Sequence, residues 1–201
     1  MARDEAKILL VDDRAENLFA LEAILSSLDQ ELVFARSGEA AVDAARAEEF
    51  AVILLDVVMP GMDGFETAAH IKRRGRTRNV PIIFLTAAGA EPELAFRGYA
   101  AGAVDYISKP FDPWVLRAKV SVFVNLYLKD RAVSDLASLL TSLEEAAAGL
   151  AGLPAALSSG TLTSGTLTDG LVRLDGVIAS LRSRLGNVDV SDATGIPGAE
   201  G

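Results

Sequence analysis

The chain has 201 residues, half of them hydrophobic, which is enough for one domain of ordinary size and a further segment. Its formal net charge of -9 argues against a general nucleic-acid or anionic-membrane binder, because both need a basic surface. With no cysteine and a single histidine, disulfides, thiolate metal sites and multi-histidine metal sites are excluded. Neither a signal-peptide pattern nor an apolar run of about 18 residues is present, so we expect a soluble, cytoplasmic protein without a membrane partner.

The first part of the chain alternates short apolar runs with longer stretches of helical periodicity. The apolar runs predict five strands, at 8–11, 32–35, 51–55, 80–85 and 104–107. The intervening stretches predict helices near 14–28, 37–48, 63–74 and 91–101. Because strands and helices alternate regularly, we predict an α/β domain with a five-stranded, doubly wound parallel sheet and helices on both faces.

Beyond Pro113 the pattern changes to one long helix, predicted over 113–150 and about 55 Å long at about 1.5 Å per residue. Large apolar residues recur along it at alternating spacings of three and four, with Lys129 and Ala147 at two of the positions. This spacing is typical of a coiled-coil seam. The apolar seam residues are Val122, Leu126, Val133, Leu136, Leu140, Leu143 and Leu150.

The remaining residues predict a helical hairpin that ends in a tail. Residues 151–166 are rich in Gly, Pro, Ser and Thr and indicate a linker. A second series with the same spacing predicts a shorter helix over 167–186, and the small, polar residues 187–201 predict a flexible tail. The chain therefore divides into a domain over residues 1–129 and a C-terminal α-helical extension.

Carboxylates follow two of the predicted strands, Asp12 and Asp13 after the first and Asp56 after the third. The carboxyl edge of an open α/β sheet is where ligands bind. Two unit charges about 4 Å apart repel by about 4 kcal/mol at an effective dielectric near 20, and a hard divalent cation such as Mg²⁺ removes that cost. Any one of these residues alone is more often a helix or turn cap, but the three together favour a metal site.

Two further side chains are predicted at the same edge. Thr86 stands at the end of the fourth strand, and Lys109 follows the fifth and precedes Pro110. A hydroxyl and an ammonium beside three carboxylates are the groups that a metal-bound phosphoryl group needs. Taken singly, Thr86 is more often a strand-end cap, and Lys109 a solvated surface charge.

In this arrangement residues 7–129 resemble the receiver domain of two-component response regulators. The resemblance rests on four segments in order: KILLVDDRAENL, VILLDVVMPGMDGFE, VPIIFLTA and GAVDYISKPFDP. It implies the flavodoxin-like strand order 2-1-3-4-5. It also implies phosphoryl transfer from a histidine kinase to Asp56, with the product acting as a signal. The chain would thus be a phosphoacceptor and not an enzyme with turnover.

The resemblance assigns a role to each residue of the motif. Asp12, Asp13, Asp56 and the backbone carbonyl of Val58 would hold Mg²⁺. Lys109 and Thr86 would contact the phosphoryl oxygens, and Tyr106 would be the aromatic switch that moves with Thr86. Val58 and Ala88 occupy the two positions that flank the path of hydrolytic water in the family. Neither side chain can orient water, so we expect slow self-dephosphorylation.

No DNA-reading pattern follows the domain, and the basic run at 72–78 suits a solvated helix end. Our leading hypothesis for the output is a homodimer through the C-terminal helices, in which the second helix folds back to give a four-helix bundle. Phosphorylation would alter this dimer or its contact with an unidentified protein target. Alternatively, the two helices pack only on each other within one chain.

The sequence bears on three other interpretations. The chain could be the receiver portion of a hybrid kinase or of another multi-domain regulator. A phosphatase of the haloacid-dehalogenase type needs an aspartate two positions after its nucleophile, where Val58 stands. A histidine-phosphotransfer domain needs a histidine on its helical bundle, whereas His70 lies in the α/β domain.

Overall fold

The computed structural model describes residues 5–73, 75–87 and 104–151, together with positions 172, 176 and 179. Two compact units are formed, residues 2–130 and residues 131–201 with Met1. Several predicted elements fall outside the described residues, apart from Ala151 and those three positions: the helix over 91–101, the linker over 151–166, the second helix over 167–186 and the tail.

Five parallel strands form one sheet in the order β2-β1-β3-β4-β5. The strands are β1 (Lys7–Val11), β2 (Glu31–Ala35), β3 (Val52–Asp56), β4 (Ile82–Ala87) and β5 (Asp105–Lys109). The described helices are α1 (Ala15–Leu25), α2 (Gly38–Ala47), α3 (Gly64–Lys72) and α4 (Pro113–Ala151), and a short 3-10 turn (Ser26–Leu28) follows α1. The predicted sheet, its strand order and the helix over 113–150 are confirmed.

Side chains of the central strands are buried on both faces of the sheet, as their continuous apolar runs predict. On one face Ile8 and Leu10 of β1 pack with α1 and α4. On the other face Leu9 and Val11 pack with α2 and α3. Full burial of an aliphatic side chain contributes about 1.5–3 kcal/mol, so these strands anchor the domain and fix the positions of their ends.

Strand β4 lies two residues later than predicted. Pro81 has no N–H, and Val80 donates its N–H to the carbonyl of Thr77 in a turn, at 3.2 Å. The carbonyl of Pro81 accepts a hydrogen bond from the N–H of Ile53 at 2.9 Å, and β4 then begins at Ile82. Thr86 is consequently a residue of the strand itself. Lys109 likewise lies within β5, at its last position.

Helix α4 packs one side on the sheet and exposes another. Leu116, Val120 and Val124 are buried in the core, whereas Val122 and Leu126 expose 60% and 62% of their surface. Its N-terminus is capped by Asp112, whose carboxylate accepts the N–H groups of residues 114 and 115 at 2.7 and 3.2 Å. None of the described helices has both the length and the apolar character that a membrane span requires.

The start of α3 approaches the end of β3 closely. The N–H of Gly64 donates to the carbonyl of Val57 at 3.0 Å. A Cβ atom at position 64 would lie 2.3 Å from the backbone oxygen of Asp56 and 2.8 Å from the Cα of Val57. Only glycine allows the start of α3 to come this close to the backbone of Asp56 and Val57, and this contact holds the loop that follows Asp56 in place.

We predict that Gly64→Ala destabilises the domain by about 2–3 kcal/mol, because backbone atoms would have to move to admit the methyl group. Gly75→Ala is the matched control, since a Cβ atom there meets nothing within 4 Å and should change stability by less than about 0.5 kcal/mol. Urea unfolding of both variants measures the difference. Equal stabilities would show that the loop after β3 adapts freely.

Candidate functional site

The carboxyl edge of the sheet brings together side chains that are far apart in the sequence. Asp12 directly follows β1, Asp56 ends β3, Thr86 is the penultimate residue of β4 and Lys109 ends β5. Because all five strands are parallel, these residues meet at one edge of the sheet. Asp13 completes the group from the loop after β1.

The three carboxylates lie close enough to share one cation. Asp12, Asp13 and Asp56 each offer an oxygen, and these atoms lie within 4.8 Å of one another. Asp12 is fully buried, Asp56 is 7% exposed and Asp13 is partly exposed. The oxygen-only ligand set suits a hard divalent cation, and the partial exposure of Asp13 leaves one side open to water and solutes.

The ammonium of Lys109 bridges two of these carboxylates. Its Nζ lies 2.8 Å from Asp12 Oδ2 and 2.9 Å from Asp56 Oδ1. The following peptide bond, to Pro110, is cis. Charge-assisted hydrogen bonds of this length are the stronger kind, so Lys109 offsets much of the repulsion between Asp12 and Asp56.

Asn17 is a site residue that the sequence reasoning missed. Its amide nitrogen lies 2.8 and 2.9 Å from the two carboxylate oxygens of Asp12, and the backbone N–H of Arg14 donates to Oδ1 at 3.0 Å. Asp12 thus also accepts a hydrogen bond from the backbone N–H at the start of α1, where the N-cap residue Arg14 makes no side-chain capping bond. The available signal was the spacing, since a residue five positions after Asp12 lies on the first turn of α1.

The pKa values at the site follow from burial and from charge. Burial raises the pKa of Asp56, the bond and charge of Lys109 oppose the shift, and the negative charges of Asp12 and Asp13 add to it. For Lys109, burial is the largest influence and lowers the pKa. The hydrogen bonds and charges of Asp12 and Asp56 together outweigh it, so the pKa of Lys109 is raised. The ammonium therefore stays charged at neutral pH.

The remaining predicted residues that the structure describes lie on β4, on β5 and in the loop after β3. Thr86 is buried and Tyr106 is partly buried in the neighbouring strand, where it stands opposite Phe84 in the register. Val58, two residues beyond Asp56, is 70% exposed. Ala88 lies outside the described residues. The switch and hydrolysis-tuning roles therefore remain predictions.

Comparison with known proteins identifies this constellation. Residues 8–121 match the response regulator receiver domain family. Response regulator PleD of Caulobacter vibrioides is 38% identical over 115 residues, which are 57% of this chain and 25% of PleD. Protein PilH of Pseudomonas aeruginosa is 35% identical over 107 residues, which are 53% of this chain and 88% of PilH. The match with PleD thus spans only about a quarter of that protein.

The likeness extends to solved structures. The receiver domain of the sensor histidine kinase PA1611 from Pseudomonas aeruginosa aligns with a TM-score of 0.56 at 31% identity. The alignment covers 60% of this chain and 98% of that domain, which was crystallised with a magnesium ion coordinated in its active-site cleft. The chain is therefore similar in fold and sequence to a domain that holds a magnesium ion in its own active-site cleft.

We predict that Asp13→Asn stabilises the metal-free protein at neutral pH by about 1 kcal/mol, or about 3–5 °C in melting temperature, because it removes one of three clustered negative charges. The pKa of Asp56 is raised in the folded protein, so the ionised Asp56 lowers the stability of the fold at pH values above the ordinary pKa of a carboxyl group. In acid Asp56 is protonated, and the stability gained by Asp13→Asn should disappear. Mg²⁺ should raise the melting temperature of the wild type more than that of the variant.

Differential scanning fluorimetry across pH, with and without Mg²⁺, tests this prediction. Asp43→Asn removes the same charge from the exposed face of α2, where Asp43 pairs with Arg46, and should leave the melting temperature nearly unchanged. Equal effects of the two variants would contradict the view that the three carboxylates repel one another.

Proposed function

Because this chain belongs to the response regulator receiver domain family, we propose that it is a cytoplasmic signalling protein that accepts a phosphoryl group on Asp56 from a histidine kinase, with Mg²⁺ as cofactor. The observation that carries the proposal is the bridge from Lys109 to both Asp12 and Asp56. An ammonium so placed is ready to exchange a carboxylate for a phosphoryl oxygen.

The proposed transfer is a displacement at phosphorus. A carboxylate oxygen of Asp56 forms a bond to the phosphorus of a phosphohistidine, the bond from phosphorus to the imidazole nitrogen breaks, and the imidazole leaves with the electron pair. Asp12, Asp13, Asp56 and the backbone carbonyl of Val58 would hold Mg²⁺. When bound, the ion supplies counter-charge for the phosphoryl oxygens. The chain's own part is to hold the nucleophile still and to place Lys109 beside it.

The phosphorylated carboxylate adds up to about two negative charges at this edge. In our proposal Lys109 and the hydroxyl of Thr86 follow those charges, and Tyr106 takes the space that Thr86 leaves. Support comes from position: Thr86 lies near the carboxyl end of β4, at the edge where Asp56 ends β3. Tyr106 lies on the neighbouring strand β5, opposite Phe84, two residues before Thr86 in β4. The switch would alter the surface that the domain presents to partners.

For the output, we infer a phosphorylation-dependent helical contact, either a homodimer or the binding of a protein target. The exposed side of α4 supports it: Val133, Leu136, Leu140 and Leu143 expose between 38% and 66% of their surface. Apolar residues left open in a regular row indicate a protein interface. A role as one part of a hybrid kinase or multi-domain regulator is the second candidate, favoured by the partial match with PleD.

We predict that the wild type gains one phosphoryl group on incubation with acetyl phosphate and Mg²⁺, and that Asp56→Asn gains none. The amide lacks the nucleophilic oxygen charge, while the surrounding fold is retained. Intact-protein mass spectrometry measures the incorporation, with Asp43→Asn as a control that should label normally and EDTA as a treatment that should abolish labelling. Labelling of Asp56→Asn, or turnover of a phosphomonoester by the wild type, would refute the assignment.

We also predict that the phosphorylated state of the wild type persists for minutes or longer, because Val58 cannot orient an attacking water. Val58→Asn introduces such a group beside Asp56 and should shorten the lifetime on the order of tenfold. The exposed Val115 on α4 provides the matched control, as Val115→Asn should leave the lifetime unchanged. Loss of the phosphoryl group from the wild type within seconds would contradict the prediction.

A further inference from the structure

The three carboxylates of the site are not held equally. Asp12 accepts hydrogen bonds from the side chains of Lys109 and Asn17. Asp56 accepts one from Lys109. Among the described residues the carboxylate of Asp13 has no hydrogen-bond or ion-pair partner, and Asp13 is also the most exposed of the three. Asp13 is therefore the carboxylate with the greatest freedom to move away from the other two.

Arg36 restrains Asp13 through the backbone. The guanidinium Nη2 of Arg36 donates a hydrogen bond to the carbonyl oxygen of Asp13 at 3.3 Å. One residue earlier in the same loop, the N–H of Asp12 donates to the carbonyl of Ala35 at 3.2 Å. The loop that carries the two aspartates is thus attached to the end of β2 at two points, one formed by the backbone and one by a side chain.

The end of β2 is a firm support for this contact. Strands β1 and β2 pair in register to their last residues, and Ala35 is buried. Two residues separate β2 from α2, which begins at Gly38. A Cβ atom at position 38 would lie 2.2 Å from the hydroxyl oxygen of Thr67, so α2 begins in close contact with α3. The backbone of Arg36 is therefore fixed on both sides, and its guanidinium extends from a rigid connection.

Fixing the carbonyl of Asp13 limits the positions that its carboxylate can take. Each residue has only two soft backbone dihedral angles, and the bond from Arg36 restricts the ψ angle of Asp13. Rotation of the side chain is then the main freedom left to this residue. A ligand that is already in place loses less conformational entropy when a cation binds. The bond should therefore favour metal binding, although the guanidinium has no acceptor atom to offer to a cation.

The charge of Arg36 acts in the opposite direction. A guanidinium stays protonated in proteins, so a positive charge lies beside the loop that carries Asp12 and Asp13. Like charges repel, and by charge alone Arg36 would weaken the binding of Mg²⁺. Because the two effects have opposite signs, removal of the side chain shows which of them is larger.

We propose that Arg36 is a positioning residue of the metal site, whose bond to the carbonyl of Asp13 holds that carboxylate beside Asp12 and Asp56. This inference rests on the proposed function, in which Mg²⁺ binds to the three carboxylates. One net hydrogen bond changes an equilibrium by roughly two- to tenfold, which sets the size of the effect on metal binding.

Isothermal titration calorimetry of the full-length protein measures the Mg²⁺ concentration at half saturation. Arg36→Met removes both the donor and the charge, and we expect it to raise this concentration about three- to tenfold. Arg36→Lys keeps the charge and a donor on a long side chain, and it should restore most of the binding.

Arg14→Met is the matched control. Arg14 directly follows Asp13, is exposed, and its guanidinium has no bonded partner in the part of the chain that the structure describes. This variant removes a positive charge near the carboxylates but no bond to the loop. It should bind Mg²⁺ as tightly as the wild type or more tightly.

Two further measurements separate positioning from a general effect on the fold. At saturating Mg²⁺ the ion itself holds the carboxylates, so Asp56 of Arg36→Met should be labelled by acetyl phosphate at the wild-type rate. The melting temperature of the metal-free variant should stay within about 3 °C of the wild type, since Arg36 is exposed.

The results distinguish this inference from the function on which it rests. An unchanged or lower half-saturating concentration in Arg36→Met would overturn the positioning role, because the bond would then contribute nothing beyond its charge. An equal rise in Arg14→Met would overturn it as well. Either result, obtained with a wild type that binds Mg²⁺ and is labelled on Asp56, leaves the phosphoacceptor role intact. A wild type that neither binds Mg²⁺ nor is labelled would overturn both.

Discussion

The ammonium of Lys109 lies between the carboxylates of Asp12 and Asp56, and the rest of the site depends on this contact. Asp12 is fully buried, so its charge must be met by protein groups, and Lys109 and Asn17 provide them. Removing one partner of a buried ion pair typically costs about 3–5 kcal/mol, which makes this bridge a structural requirement as well as a chemical one. A cation and a phosphoryl group would redistribute the same charges without dismantling the cluster.

The sheet makes that contact possible because it is rigid where the site is built. Strands β1 and β3 are buried on both faces, so their carboxyl ends cannot shift without disturbing two layers of packed side chains. The close approach of Gly64 to the backbone of Asp56 fixes the loop that follows. Burial has a further effect on Asp56, since it raises the pKa of the residue proposed as nucleophile. Burial in the sheet therefore both holds the Asp56 carboxyl in position and raises its pKa.

Helix α4 connects this chemistry to a surface. Its inner side, at Leu116 and Val120, packs with Leu85 and Ile107, which are the sequence neighbours of Thr86 and Tyr106. If Thr86 and Tyr106 move as we propose, their rearrangement would act on the strands that support α4. The seam residues Val122 and Leu126 of the same helix are exposed. One helix therefore takes part both in the core of the domain and in the surface available to partners.

The sequence by itself determined the α/β class and the elements up to β3, whose ends it predicted to within three residues. It also placed Asp12, Asp56, Thr86 and Lys109 at strand ends. These features could be predicted because periodicity and strand composition are local properties. Only the tertiary structure decided that Lys109 reaches both Asp12 and Asp56, which stand 97 and 53 positions away along the chain. It also revealed Asn17 and the later start of β4 after Pro81. These features depend on hydrogen bonds between distant segments, and no local pattern encodes which side chains will meet there.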